Sequence, residues 1–214
     1  MISGTVYGTI LNVRRQIEML GDALDKPPYG KPPQAPVLYI KPPNTYAGDG
    51  STIAVPPGVE ALETSATLAV VIGKTACRVS EREALEHVAG YAVAIDVCIP
   101  HANLHRPAVR QRCRDGFLPM SEITPRAAVG DPDALSVEVF VNGREASRFS
   151  TSDLVRPVAR LIADVTEFMT LSNGDVLLVG LPPDGPLARL GDRVEARIDS
   201  VGALTITLAA EAQA

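Results

Sequence analysis

Two stretches decide how this chain reads: Leu62-Glu-Thr-Ser-Ala-Thr-Leu-Ala-Val-Val-Ile-Gly-Lys74 and Gly90-Tyr-Ala-Val-Ala-Ile-Asp96. Leu68–Ile72 is a short apolar run closed by glycine, the pattern of a buried strand. Ser65 and Thr67 lie two apart, so on that strand they share a face. Between the stretches, Ser80-Glu-Arg-Glu83 has the S-x-x-E form of a capping box, with Leu85 and Val88 on one face and Gly90 as the closing residue. The expected unit is strand, capped helix, strand. Asp96 ends the second apolar run, and a carboxylate embedded there is costly to desolvate unless a cation, a metal or several donors meet it.

Outward from this unit, residues 3–11 read as a first strand. Arg14–Leu20 continues with Ile17, Leu20 and Leu24 at helical spacing, a lid or flank helix. Lys26-Pro-Pro-Tyr-Gly-Lys-Pro-Pro-Gln-Ala-Pro36 excludes helix and central strand and is expected to run extended over the surface. Pro36–Ile40 reads as a strand that delivers Lys41 to its exit, where binding loops often sit. Leu135–Val141 alternates, and Asn142-Gly143 predicts a hairpin into Arg144–Phe149. From Pro157, the residues Val158, Leu161, Ile162, Val165, Phe168 and Met169 form an apolar stripe of helical period, expected to cover a sheet and to end at Asn173-Gly-Asp175. Val176–Val179 is a buried strand, Gly180-Leu-Pro182 opens a loop, and strands around 192–198 and 203–208 complete an α+β, β-rich chain.

With 214 residues, the chain suits one sizeable core and is short for two, so residues 1–214 read as a single domain with residues 1–35 as strand, helix and connector. A net charge of -5 argues against general affinity for nucleic acid or an anionic membrane. No apolar run approaches the ~20 residues of a bilayer span. Met1-Ile-Ser-Gly-Thr-Val lacks the basic start and apolar stretch of a signal peptide, so a cytoplasmic location is expected. Cys77, Cys98 and Cys113 form no CxxC pair, which suits reduced thiols.

Three chemistries compete. Cys98, His101 and His105 are the sequence-local soft-ligand cluster, but Pro100 interrupts it and no fourth zinc ligand is evident. A serine hydrolase lacks its G-x-S-x-G elbow, and phosphate-binding glycine loops are absent. Arg106, Arg110, Arg112 and Arg114 crowd into nine residues of an acidic chain. Such guanidinium groups suit an anionic ligand, although a solvated basic face is the plainer alternative.

Lys41-Pro-Pro-Asn44, the Leu68–Lys74 strand, Gly90–Asp96, Arg114-Asp-Gly-Phe-Leu-Pro119, Phe168–Asp175 and Gly191-Asp192 occur in the order seen in the fumarylacetoacetate hydrolase family, and the chain is identified as a member by that resemblance. Within the family, Ser65-Ala-Thr67, Cys113–Phe117 and the Arg106-Pro-Ala segment resemble the amino-terminal half, or separate subunit, of bifunctional isomerase/decarboxylases of 4-hydroxyphenylacetate catabolism. The resemblance implies a mixed β-roll or β-sandwich with a few covering helices. It further implies a divalent metal, magnesium or manganese, held by three carboxylates, two from an E-x-E and one from an aspartate. That ion chelates a 2-oxo or 2-hydroxy acid and stabilises an enolate.

Asp96 matches the third ligand, while Ser65 and Thr67 stand at the E-x-E positions, where neutral hydroxyls do not replace two formal charges. Glu63 shares their strand face, about 6.6 Å from Ser65 along the strand, and is a distorted rescue ligand at best. Gln16 replaces a lid-helix histidine, Arg112 a common lysine, and Leu181 a substrate-contacting threonine. The resemblance therefore implies a metal that is weak or absent here. Lys41, Arg112 and Arg114 become candidate ligands for substrate carboxylates, and Asp96 an acid, base or residual ligand. Implied partners are small anionic oxo-acids, further copies of the chain, or a homologous carboxy-terminal subunit.

Overall fold

The computed structural model describes residues 3–101 and 107–211. Its strands are β1 (Val6–Ile10), β2 (Val37–Lys41), β3 (Tyr46–Ala47), β4 (Thr52–Val55), β5 (Leu62–Ile72), β6 (Val88–Cys98) and β7 (Leu118–Pro119), followed by β8 (Thr124–Pro125), β9 (Ser136–Val141), β10 (Arg144–Ser150), β11 (Val176–Leu178), β12 (Leu187–Ala188), β13 (Arg193–Ile198) and β14 (Gly202–Ala210). The α-helices are α1 (Arg14–Leu20), α2 (Glu81–Ala84), α3 (Val109–Arg112) and α4 (Val158–Thr166). None is long and apolar enough to cross a membrane.

A mixed sheet runs in the order β2-β1-β11-β5-β6-β8, with β12 added to β5; a second runs β10-β9-β13-β14-β4. One core joins them. Leu62, Ala66, Leu68, Val70 and Ile72 of β5 and Val93, Ile95 and Val97 of β6 meet Val137 and Val139 of β9, Val194 and Ala196 of β13, and Leu204 and Ile206 of β14. Helix α4 closes the same core with Val158, Leu161, Ile162 and Val165. The other face of β5 and β6 carries Ala69, Val71, Ala92 and Ala94 against Leu118, Met120 and Val176. Strand alternation thus turns Glu63, Ser65 and Thr67 away from the main core, as period two requires.

The hairpin turn has Asn142 and Gly143 at φ 52° and 77°, both left-handed, as an N-G turn between strands demands. Three local expectations are corrected. Ser80 Oγ donates to Glu83 Oε2 at 2.7 Å instead of capping a backbone amide, and Gly90 is a residue of β6, not a helix stop. A Cβ at Gly90 would overlap Thr124 of β8, so a close strand approach explains that glycine. Helix α4 ends at Thr166, well before Asn173, and leaves Phe168 59% exposed instead of in the buried stripe. The proline-rich connector is a run of turns and bends, pinned where Arg156 Nη2 donates to the Gln34 carbonyl at 2.7 Å.

The first sheet is strongly curled. In a flat sheet β2 and β6, four positions apart, would be separated by about 19 Å. Yet Lys41 of β2 and Asp96 of β6 are in contact at 2.7 Å. Gly8 permits the inner lining: it pairs with Tyr39 across β1 and β2, and a Cβ there would overlap the phenol ring. Gly8→Ala is expected to destabilise the fold by about 1–3 kcal/mol through overpacking, measurable by urea unfolding, whereas Gly48→Ala, with open space around it, should cost much less.

Candidate functional site

Strand β5 faces β6 in a register that sets Ser65 opposite Asp96, Glu63 opposite Cys98 and Thr67 opposite Ala94. These side chains project into the concave side of the curled sheet, where β2 folds over them. Asp96 is completely buried, and so is Lys41. Lys41 Nζ lies 2.7 Å from Asp96 Oδ1, and Arg112 Nη1 lies 3.1 Å from the same oxygen. The hydroxyl of Tyr39 donates to Oδ2. The Lys41 ammonium also donates to the carbonyls of Arg112 at 2.8 Å, Phe117 at 2.9 Å and Val97 at 3.2 Å. Its three N–H bonds are thereby committed to the main chain, which makes the contacts of Oδ1 with Lys41 and Arg112 charge pairings without hydrogen-bond alignment.

The electrostatics follow from this enclosure. Burial pushes the Asp96 carboxyl upward, but the adjacent charges of Lys41 and Arg112, with the hydrogen bond from Tyr39, outweigh it and hold the group below the usual aspartate range. Burial lowers the Lys41 ammonium from its ordinary value, against the opposing pull of Asp96. The Tyr39 phenol is raised well above its usual range by burial and by the neighbouring carboxylate. Arg112 stacks 5.0 Å from the centroid of the Tyr39 ring. One carboxylate therefore faces two cations and a neutral phenol.

Of the other predicted residues, Ser65 Oγ donates to Glu63 Oε1 at 3.2 Å, and Thr67 Oγ1 donates to the Gly180 carbonyl at 2.7 Å. The loop after β11 closes over them. Thr64 binds the Pro186 carbonyl through both its amide at 2.8 Å and its hydroxyl at 3.1 Å, and a Cβ at Gly185 would overlap Ser65 Oγ. Arg114 pairs with Glu211 at 3.3 Å on the surface, apart from Asp96, and Arg110 is exposed. The arginine run thus divides among different surroundings, and Arg106 lies outside the described residues.

Cys98 Sγ is 3.4 Å from His101 Nδ1, with its thiol pushed up to about 12 by burial, the reverse of what a zinc thiolate requires. His105 lies outside the described residues. Gln16 Oε1 accepts the Leu11 amide at 2.6 Å and steadies a residue at φ 60°; Leu181 is buried. A groove of about 960 Å³ lined by Tyr46, Met120 and Ile123 includes none of the Asp96 cluster.

The residues present do not fit a three-carboxylate metal centre. Among the described residues no group of three histidine, cysteine or acidic side chains converges to hold an ion. Tyr39 is the member of the cluster that sequence reasoning missed, although it stands two residues before Lys41 and hence on the same strand face.

A curled mixed sheet joined by one core to a second sheet, with a buried aspartate near the end of β6 paired with Ser65 near the start of β5, defines the class. The family model for the fumarylacetoacetate hydrolase carboxy-terminal domain matches residues 5–209, and the chain belongs to this family. It is 40% identical over 210 residues to a 4-hydroxyphenylacetate degradation bifunctional isomerase/decarboxylase of Salmonella dublin, covering 98% of this chain and 48% of that protein. The chain therefore spans about half the length of this curated relative. Among solved structures, fumarylpyruvate hydrolase from Pseudomonas aeruginosa with Mn2+ and pyruvate superposes with a TM-score of 0.84 at 24% identity, over 97% of this chain and 90% of that one. The 5-carboxymethyl-2-hydroxymuconate delta-isomerase from Mycobacterium smegmatis gives 0.82 at 26% identity, over 100% and 81%.

Removal of the buried charge is directly testable. Asp96→Asn leaves Lys41 and Arg112 without a counterion and should cost about 3–5 kcal/mol at neutral pH. Because the folded-state pKa of Asp96 is depressed, its contribution is present above the unfolded aspartate value and is lost as pH falls through the folded value. The stability gap between wild type and variant should accordingly narrow below about pH 4 in urea titrations.

Proposed function

We propose that this chain is the amino-terminal subunit, or half, of an isomerase/decarboxylase system of 4-hydroxyphenylacetate catabolism, and that it is the metal-free member of a pair whose homologous partner carries the complete carboxylate set. The substrates of the system on this reading are 5-oxopent-3-ene-1,2,5-tricarboxylate and 2-hydroxyhepta-2,4-diene-1,7-dioate, in the cytoplasm. Support for the system comes from 40% identity across 98% of the chain with a relative twice as long. Support for the metal-free role comes from one observation: the carboxylate at the family's third-ligand position is buried against Lys41 and Arg112, while Ser65 and Thr67 stand at the other two.

Enolate chemistry on a 2-oxo acid needs a concentrated positive charge that reaches the substrate oxygens. In this chain the buried positive charge is spent on Asp96 and on main-chain carbonyls, and Asp96 has no exposed surface from which to move a proton. The geometry suits a folded scaffold that presents its outer faces to a second domain of the same family. Homo-oligomers would give the same scaffold a partner but would leave the carboxylate set incomplete in every copy.

The purified chain, assayed alone with magnesium or manganese in excess, should neither release CO2 from the tricarboxylate nor ketonise the diene acid. Adding a carboxylate-complete homologue should give a mixed complex on size-exclusion chromatography, with activity in that fraction. Turnover by the chain alone, abolished in an Asp96→Asn protein shown to be folded, would overturn the reading.

A further inference from the structure

The groove of about 960 Å³ lies outside the Asp96 cluster and is lined by Tyr46, Gly48, Asp49, Met120, Glu122 and Ile123. Its floor is apolar: Met120 belongs to the smaller core, and Tyr46 packs against that core. Gly48 keeps the groove open, with no atom within 4 Å of where a Cβ would stand. Beside it runs a ridge that begins at Ile123, 41% exposed, and continues through the exposed Pro125 and Arg126. The ridge is held firmly. The Ser121 amide donates to the Val93 carbonyl at 2.9 Å, the Ser121 hydroxyl accepts the Val93 amide at 2.9 Å, and Thr124 Oγ1 donates to the Val201 carbonyl at 2.6 Å.

We propose that this face is a self-complementary docking surface for a second copy of the chain, with Ile123 of each copy seated in the groove of the other and Arg126 of each paired with Glu122 across a two-fold axis. One surface carries both an apolar projection and an apolar recess, and both an acid and a cation, which is what an isologous contact requires. Glu122 and Arg126 are exposed and form no ion pair among the described residues. Asp49, the other acid of the groove, already accepts the Thr205 amide at 2.7 Å. The outer face of the second sheet differs, since its charges are matched within the chain: Arg148 with Glu138 at 2.6 Å, Arg197 with Glu195 at 2.7 Å and Arg193 with Glu195 at 3.3 Å. The two-residue β8, which the ridge includes, is also the terminal strand of the first sheet. A two-fold contact sets two such edges antiparallel and covers both. A rigid ridge loses little freedom on docking. Docking by this face is independent of whether the site at Asp96 holds a metal.

Sedimentation velocity on the purified chain at about 100 μM, a concentration that populates a dimer of micromolar Kd, should give a mass of twice 22.6 kDa. Glu122→Arg and Arg126→Glu each set like charges against one another twice across the axis, and each should raise the dimer Kd at least about tenfold. The combined Glu122→Arg/Arg126→Glu protein regains both pairs and should return close to the wild-type Kd, a recovery that damage to the fold would not produce. A monomeric wild type, a Kd unmoved by either single reversal, or no recovery in the double variant would overturn the proposal. None of these results bears on the metal-free reading, which the activity assay decides.

A steric variant tests the recess without altering its charge. Gly48 has open space around it and a backbone outside the left-handed region, so Gly48→Gln should leave the far-ultraviolet circular dichroism spectrum unchanged while its side chain fills the groove. The variant should sediment as a monomer. A Gly48→Gln protein that remains a dimer with the wild-type Kd would show that the copies meet elsewhere and would overturn the proposal.

Discussion

The neutralisation of one buried carboxylate governs this structure. Asp96 belongs to the central hairpin, yet the groups that satisfy it come from β2, at the far edge of the same sheet, and from the end of α3. Those groups reach it only if the sheet rolls through the intervening strands. An ionised carboxylate left alone at that depth would cost several kcal/mol. Electrostatics and curvature are thus one constraint: the roll brings Tyr39 and Lys41 over Asp96, and the charge keeps the roll closed. Gly8 supports this by leaving room for the Tyr39 ring against β1.

Much of this architecture was legible in the sequence where local pattern and tertiary demand coincide. The apolar runs of β5 and β6, the Asn142-Gly143 turn and the stripe of α4 each bury the face that their periodicity marks. Reading failed where a residue serves something distant. Gly90 looks like a helix terminator beside a capping box, but answers to Thr124 on β8. Phe168 continues the helical stripe in sequence while the helix has already ended. At the site, Asp96, Lys41 and Arg112 were recognisable as a carboxylate and cations needing partners, whereas Arg114 differs from Arg112 only in the direction it leaves the chain. Tyr39 escaped notice because a tyrosine on a strand is ordinary until the roll places it over an acid.

Membership of the fumarylacetoacetate hydrolase family and the metal-free role proposed for this chain are compatible because fold and site answer to different residues. The sheet packing needs apolar alternation along β5, which Ala66, Leu68 and Val70 supply on the core face. The opposite face, with Ser65 and Thr67, is free to change without disturbing that core. Hydroxyls there find partners on Glu63 and Gly180 and so remain satisfied. A chemical site can be rewritten on one face of a strand while the other face preserves the architecture.

The pairing of β1 has an implication for how the chain reaches this state. Val6, Tyr7 and Gly8 lie parallel to Val176, Leu177 and Leu178, so the first strand completes its ladder only after nearly all of the chain is available. Contacts of such long sequence separation form late and slow folding, because loop closure must precede any gain from them. The hairpin of β5 and β6, whose partners are close along the chain, provides an earlier platform. Without β11 the first strand lacks its partner on that side, and an unpaired strand edge is the feature through which incompletely assembled chains associate.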